Sequence, residues 1–288
     1  MQPTLQQASG GRSSTVPASA DVVRTPPAHP QLPVARSLRL AYGTTLVVAA
    51  LVVLASAVGL TGAAGDVYGG ASSVLVSPGS DAANLLLVPL LLGTTWGAQR
   101  GSLLGLLLWP GALFYSLYAY LPYAISAAVT WLLLVDVAVV TLSAFSLIGL
   151  LATIDASAVP DRLSRTPARW VGGVLTVIGL LAYAGLAANA ASTLVDAGAR
   201  GHWVADWTVG TPVLVLGGAL LWRRLPLGYV ATPGLLLVSA VGGLVFVIAA
   251  AVDNLLAGPT TEPATIVVHL VISALSAALL VVFVRSAA

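Results

Sequence analysis

Long apolar runs are the feature of this sequence that most restricts its fold. A helix needs roughly 20 apolar residues to cross a bilayer, and eight segments are long enough. Hydrophobic residues make up 58% of the 288 positions and charged residues only 8%, against about a quarter charged in soluble domains. The sequence therefore predicts an all-α, polytopic transmembrane helical bundle, with segments at approximately 39–60, 82–99, 102–120, 124–152, 170–194, 206–222, 227–251 and 264–284.

The arginines orient these segments. The chain has no lysine, so its twelve basic residues are all arginine. If the N-terminus is cytoplasmic, eleven of the twelve fall on the cytoplasmic side and only Arg200 falls outside. Because cytoplasmic loops carry the excess of Lys and Arg, we expect both termini to be cytoplasmic. The topology determinants between helices are then Arg100, Arg162, Arg165, Arg169, Arg223 and Arg224.

Residues 1–35 are expected to form a disordered cytoplasmic tail. They are rich in Pro, Ser, Ala and Gln and contain no apolar run, so burial cannot offset the entropy of ordering them. A signal peptide would place an apolar core much nearer to Met1. The first apolar run, after Arg39, is therefore predicted to be a retained helix.

Two stretches of the sequence are alike. "PLLLGTTWGAQRGSLLGLLLWPG" (89–111) and "PVLVLGGALLWRRLPLGYVATPG" (212–234) have equal lengths, and their prolines and Gly105/Gly228 match at a shift of 123. Arg100 and Arg224 match at a shift of 124, which implies a one-residue slip. We expect two parallel four-helix halves, 36–155 and 165–288, although a Gly- and Leu-rich chain can produce such a match by coincidence.

A resemblance rests on the same region. "RGSLLGLLLWPGALFYSLYAYLPY" (100–123) together with "RRLPLGYV" (223–230) resembles a family of uncharacterised prokaryotic multi-pass membrane proteins, over about residues 80–250. No activity, cofactor or catalytic residue is established for that family. Asn is common there where this chain has Ala119. The resemblance implies a prokaryotic plasma (inner) membrane and no particular chemistry.

Asp136 is the main candidate for a functional group. It lies about twelve residues into the segment 124–152, near the middle of the bilayer, and Ser143 shares its helix face. An intramembrane carboxyl is costly and is a functional hypothesis by default. It could couple transport to protons, or it could be a protonated group that hydrogen-bonds a neighbouring helix.

Two further polar residues lie in apolar segments. His269 could pair with Asp136 if the fourth and eighth helices meet; otherwise it bonds a carbonyl or faces the headgroups. Asn189 lies among small residues in "AGLAANAAS", which also suits interhelical hydrogen bonding. Both are candidate binding residues.

Several other patterns favour plain structural roles. Four tyrosines at 115–123 suit an aromatic belt at the membrane interface; a ligand cage is the alternative. "HWVADW" (202–207) places His202 and Asp206 one turn apart, but two ligands do not make a metal site, so anchoring at the interface is expected. With no cysteine and no catalytic motif, we predict no enzyme activity, no metal, no cofactor and no nucleic-acid partner.

Two functions remain open for this bundle. The first is a small-solute or proton-linked permease, which predicts a hydrated cavity that reaches Asp136. The second is a non-catalytic membrane module that packs with lipids, with partner proteins or with copies of itself. It predicts that Asp136 is buried between helices without a cavity, and that a face of small residues is exposed.

Overall fold

A computed structural model describes residues 32–61, 77–126, 129–192, 197–258 and 261–285. The expected tail falls mostly on residues 1–31, which lie outside the described residues. Its last residues are ordered, in contrast to the expectation. Val34 pairs with Ile154 in an isolated antiparallel bridge, and the Ala35 N–H donates to the Thr153 carbonyl at 2.8 Å. This pairing brings residues 34–35, just before the first helix, beside residues 153–154 of a later loop.

The described residues form eleven α-helices, which we number in chain order. A 3-10 turn, Ala156–Ala158, precedes α6, and a π-helical turn, Asp206–Gly210, joins α8 to α9. The helices are α1 (Arg39–Leu60), α2 (Pro78–Asn84), α3 (Leu87–Gln99), α4 (Leu103–Ser126), α5 (Trp131–Leu151), α6 (Val159–Arg162), α7 (Ala168–Ser192), α8 (Ala197–Ala205), α9 (Thr211–Trp222), α10 (Pro226–Ala257) and α11 (Pro263–Arg285).

The all-α polytopic bundle predicted from the sequence is confirmed. Within the described residues, seven helical stretches are long and apolar enough to cross a membrane; α8, the π turn and α9 together form one of them, Arg200–Trp222. The segment expected at 82–99 is instead the broken pair α2 and α3, which spans 78–99 with Leu85 and Leu86 in a turn. If the α2–α3 pair is counted as one further crossing beside these seven stretches, the total equals the eight segments predicted from the sequence.

The break between α2 and α3 and the π turn between α8 and α9 each lie about four residues before a proline. Proline lacks an N–H, and its ring clashes with the carbonyl four residues earlier. For Pro89 that carbonyl belongs to Leu85, at the end of α2. For Pro212 it belongs to Thr208, inside the π turn. The two prolines therefore set where each of these crossings is interrupted.

Helices α4 and α10 cross at the centre of the bundle through two glycines. A Cβ at Gly111 would overlap the Cα of Gly234, and a Cβ at Gly234 would lie 2.8 Å from the Gly111 nitrogen. Only residues without side chains allow two backbones to approach this closely. The close approach places α4 and α10 in direct backbone contact, with the other helices around them.

The helices around this crossing are arranged in the same way about α4 as about α10. The short helix α2 packs on α10, and the short helix α8 packs on α4. Each of the two central helices also packs on the helix that precedes it and on the one that follows it. One pairing differs: α1 packs along α5, whereas α7 and α11 do not pack along one another over their described lengths.

The central position of α4 overturns one expectation. Tyr115, Tyr120 and Tyr123 are buried, each no more than 3% exposed, so they do not form an aromatic belt at the lipid interface. The sequence suggested a belt because tyrosines near a helix end are typical of one. These rings instead face neighbouring helices, because α4 is surrounded by α3, α5, α8 and α10.

The turns α3–α4 and α9–α10 have the same backbone geometry. In the first, Gly101 has a φ of 80° and the Ser102 N–H donates to the Gly97 carbonyl. In the second, Arg224 has a φ of 58° and the Leu225 N–H donates to the Leu220 carbonyl. The turns therefore correspond at a constant shift of 123. Arg100 corresponds to Arg223, so the slip expected between Arg100 and Arg224 does not occur at this turn.

Replacing Arg224 with glycine should stabilise the protein by about 1 kcal/mol. A side chain at positive φ costs about 1–3 kcal/mol, and glycine avoids this cost at a smaller cost in chain entropy. Thermal unfolding in detergent measures the change. Arg223→Gly is the matched control: it removes the same charge, but Arg223 has a φ of −77°, so glycine should be neutral or destabilising there. Equal shifts for both variants would show that charge, and not backbone strain, controls stability at this turn.

Candidate functional site

A cavity of about 660 Å³ lies among α4, α7, α8, α10 and α11. Its volume is in the range of sites that hold small molecules. Lining residues come from positions 114–123 of α4, 178–189 of α7 and 238–250 of α10. These are the halves of the helices away from the arginine end, which we define as residues 100–102, 152–167 and 223–225. The cavity therefore opens within the half of the bundle opposite to that end.

Asp206 lies on the cavity at the π turn between α8 and α9. It is the first residue of the π turn, where the chain is wider than an α-helix, and such turns are frequent at functional sites. The Tyr118 hydroxyl of α4 donates a short hydrogen bond to Asp206 Oδ1. Gly210, at the end of the turn, leaves room for the ring: a Cβ there would lie 2.9 Å from Tyr118 Cε2. The π turn and α4 together fix the position of the Asp206 carboxyl group.

Two histidines flank the Asp206–Tyr118 pair. His202 lies one turn earlier on α8 and meets the Tyr118 ring edge-on, with centroids 6.4 Å apart; its Nδ1 has no hydrogen-bond partner among the described residues. His269 of α11 stacks on Phe246 at 3.8 Å and is near enough to Asp206 to interact electrostatically. Its Nδ1 bonds the Thr265 carbonyl at 2.8 Å, which leaves Nε2 for other partners.

The wall of the cavity opposite the π turn is held by a second carboxyl group. Asp253 of α10 accepts from the Ser77 hydroxyl at 2.7 Å and from the Gly79 N–H at 3.1 Å. It therefore binds the first turn of α2, where helix N–H groups lack intrahelical partners. Ser80 and Asn84 of α2 line the cavity, so Asp253 fixes the helix that forms this part of the wall.

Asp136 lies elsewhere, in a buried polar cluster that we define as Asp136, Asp81, Tyr120 and Ser56. Asp136 is fully buried, and neither of its carboxyl oxygens has a hydrogen-bond partner among the described residues. It is close enough to Asp81 for the two carboxyl groups to interact. The Tyr120 hydroxyl is 3.3 Å from Ser56 Oγ. Asp136 is not among the residues that line the cavity.

The candidate site residues predicted from the sequence therefore lie in two separate places. His269 and Asn189 line the cavity, whereas Asp136 and Ser143 do not. Ser143 is buried on the same face as Asp136, as expected, and its hydroxyl has no partner within the described residues. The pairing of His269 with Asp136 is wrong, because α5 and α11 do not pack on one another over their described lengths. The alternative, a histidine bonded to a carbonyl, is what the structure contains.

The predicted topology determinants lie away from the cavity. Arg100 covers the ring of Trp96, with 3.7 Å between the guanidinium carbon and the ring centroid. Four of the remaining five lie in the arginine end: Arg162, Arg165, Arg223 and Arg224. The fifth, Arg169, lies in the first turn of α7. In the same region, hydrogen bonds from Ser157 hold the pKa of the exposed Asp155 carboxyl below its ordinary value.

The sequence analysis did not select three residues of this site: Asp206, His202 and Tyr118. Each was attributed to the membrane interface, because it lies near a helix end beside aromatic residues. The available signal was the carboxyl at position 206, four residues after a histidine and six before Pro212, where a break could turn it inward. No group of three or more potential metal ligands occurs among the described residues.

No family model, no curated protein and no solved structure matches this chain.

Proposed function

We propose that this protein is a proton-linked permease for a small solute and that Asp206 is its coupling carboxyl. The observation that carries the proposal is the cavity, in which Asp206, Tyr118, His202 and His269 converge beside a π turn. Ionisable residues inside a membrane protein are typical of ion and proton pathways.

The distribution of arginines gives the proposal a direction. By the positive-inside rule, the arginine end is cytoplasmic and both termini lie on that side of a prokaryotic plasma membrane. The cavity then lies in the outer half of the bundle and receives solute from the outer leaflet or the external medium. Movement of the solute to the cytoplasm requires the central crossing at Gly111 and Gly234 to rearrange.

A parallel repeat supplies the means of such rearrangement. We propose that residues 36–155 and 165–288 are two related halves. The support is the shift of 123 shared by the two turns, together with the contact between Gly111 and Gly234, which are themselves 123 apart. Rocking of one half against the other about a fixed site is how transporters with repeats alternate access.

A second candidate function, a non-catalytic membrane module, is favoured by a separate observation. The outer end of α7 exposes a run of small residues, Ala184, Gly185, Ala187 and Ala188, and such surfaces suit close helix–helix association. Asp136 is also buried without lining a cavity, as that function predicts. This candidate requires no solute flux, so a transport measurement separates the two.

The test is solute-driven proton flux in proteoliposomes that contain a pH-sensitive dye. We expect at least one member of a panel of small solutes to move protons with the wild-type protein and not with empty liposomes. Asp206→Asn should reduce this flux at least about tenfold, since the amide cannot exchange the proton. Asp136→Asn is the matched control and should stay within about twofold. The proposal would be refuted if no solute in the panel drove proton flux, or if Asp206→Asn left the flux unchanged.

A further inference from the structure

We infer that the solute is a lipophilic organic cation that enters the cavity from the membrane, between α7 and α11; this substrate class rests on the permease proposed above. Three features of the cavity lead to this inference: its open side, its charge and its aromatic lining.

The entrance that we infer lies between α7 and α11. In the first half, α1 packs along α5, but the corresponding helices α7 and α11 do not pack along one another over their described lengths. Residues on both helices line the cavity, Leu186 on α7 and Ile272 on α11. On the same two helices, Leu181 and Val268 are more than half exposed, as expected for side chains in contact with lipid. A molecule dissolved in the membrane therefore meets the cavity at this gap.

The charge of the cavity is set by one carboxyl group. Among the described lining residues, Asp206 is the only acidic one, and neither arginine nor lysine is present. A carboxylate in an apolar site is costly unless a positive group accompanies it. The two histidines are the only basic groups among the described lining residues. His269 is near enough to Asp206 to interact electrostatically, and the ring of each histidine also contacts an aromatic ring. An organic cation supplies the permanent positive charge that this lining, without arginine or lysine, does not.

The lining favours a cation with apolar substituents. Aromatic rings attract cations through their negative faces, most strongly where water is excluded. The remainder of the surface is mainly aliphatic, which suits the apolar parts of the same molecule. Rings from α4, α8 and α10 surround the space beside Asp206: Phe114, Tyr115, Tyr118, Tyr123, Trp203 and Phe246.

The first arm of the test compares two ions of equal shape and opposite charge. Tetraphenylphosphonium and tetraphenylborate are titrated against the full chain in lipid nanodiscs. We expect the cation to bind at least about tenfold more tightly than the anion, and Asp206→Asn to weaken cation binding to a similar degree. Equal affinity for both ions would overturn the inference. This comparison uses the wild-type protein, so it is decisive even if a variant does not fold.

The second arm blocks the gap. Gly185 lines the cavity on α7 and has open space where a Cβ would stand, so Gly185→Trp should occupy the entrance without disturbing the helices. Gly173→Trp is the matched control: the same helix and the same open surroundings, but no place in the cavity lining. We expect the rate of tetraphenylphosphonium association to fall at least about tenfold in Gly185→Trp only. An unchanged association rate in that variant would exclude entry at this gap.

The outcomes separate this inference from the proposed function. If the cation binds as expected but no solute drives flux, the permease proposal fails and the binding site stands. If another solute drives flux through Asp206 while the cation does not bind, the substrate class is wrong and the permease stands.

Discussion

Replacing Gly111 with valine is expected to abolish the native packing of α4 on α10 and to leave little folded protein in detergent. A Cβ at this position would overlap the Cα of Gly234, and backbone atoms cannot rotate away as a side chain can. The helices would have to separate along the central contact of the bundle. Overpacking of a well-packed interior typically costs about 1–3 kcal/mol, and backbone overlap at the central crossing should reach or exceed the upper limit. Fluorescence-detected size-exclusion chromatography measures the folded fraction.

Substitution at Gly149 is the control for this prediction. Gly149 also lies within a transmembrane helix, but a Cβ there would meet nothing within 4 Å. Alanine is favoured over glycine in a helix by about 1 kcal/mol, so Gly149→Ala should be neutral or slightly stabilising. Gly111→Ala should be destabilising and Gly111→Val more so. If the two positions respond alike, helix propensity and not the crossing accounts for the effect.

Replacing Asp253 with alanine is expected to destabilise the protein by about 3 kcal/mol and to loosen α2. The substitution removes the acceptor for the Ser77 hydroxyl and for the Gly79 N–H. Leaving a buried donor without a partner costs about 1–3 kcal/mol, and bonds to a carboxylate are stronger than neutral ones. Thermal unfolding reports the global effect, and hydrogen exchange at residues 78–84 reports the local one.

A graded series separates the loss of these bonds from the loss of charge. Asp253→Asn retains an acceptor for the Gly79 N–H, so it should lie between the wild type and Asp253→Ala. Asp161→Ala removes an exposed carboxyl at the arginine end and should change stability by less than about 0.5 kcal/mol. Faster exchange throughout the bundle, and not mainly in α2, would contradict a local role for Asp253.

Much of the fold follows from composition and from proline positions. The apolar runs predict helices that cross a membrane, and in four of the eight segments one observed boundary lies six or more residues from the predicted one. The segment at 82–99 differs in another way, because the proline effect at Pro89 divides it into α2 and α3. That break was foreseeable as a consequence of the proline, although its depth in the bundle was not.

The candidate site was predicted less well, because apolar helices carry little information about their rotation. In a soluble protein the polar face of a helix points to water, so periodicity identifies the inner face. In a membrane the outer face is apolar as well. Depth along the chain singled out Asp136, and nothing in the spacing of residues indicated that it would be shielded from the cavity. His269 and Asn189 were chosen as polar residues in apolar segments, and both line the cavity.

The sequence alone determined the class of protein, the course of its helices and the concentration of arginines in a few turns, because burial in lipid and the chemistry of proline act locally along the chain. Only the tertiary structure decided which carboxyl group faces an open space. Asp206 does so because the π turn widens the helix beside α4 and because α7 and α11 do not pack along one another over their described lengths. Both of these depend on contacts between residues that are distant in the chain.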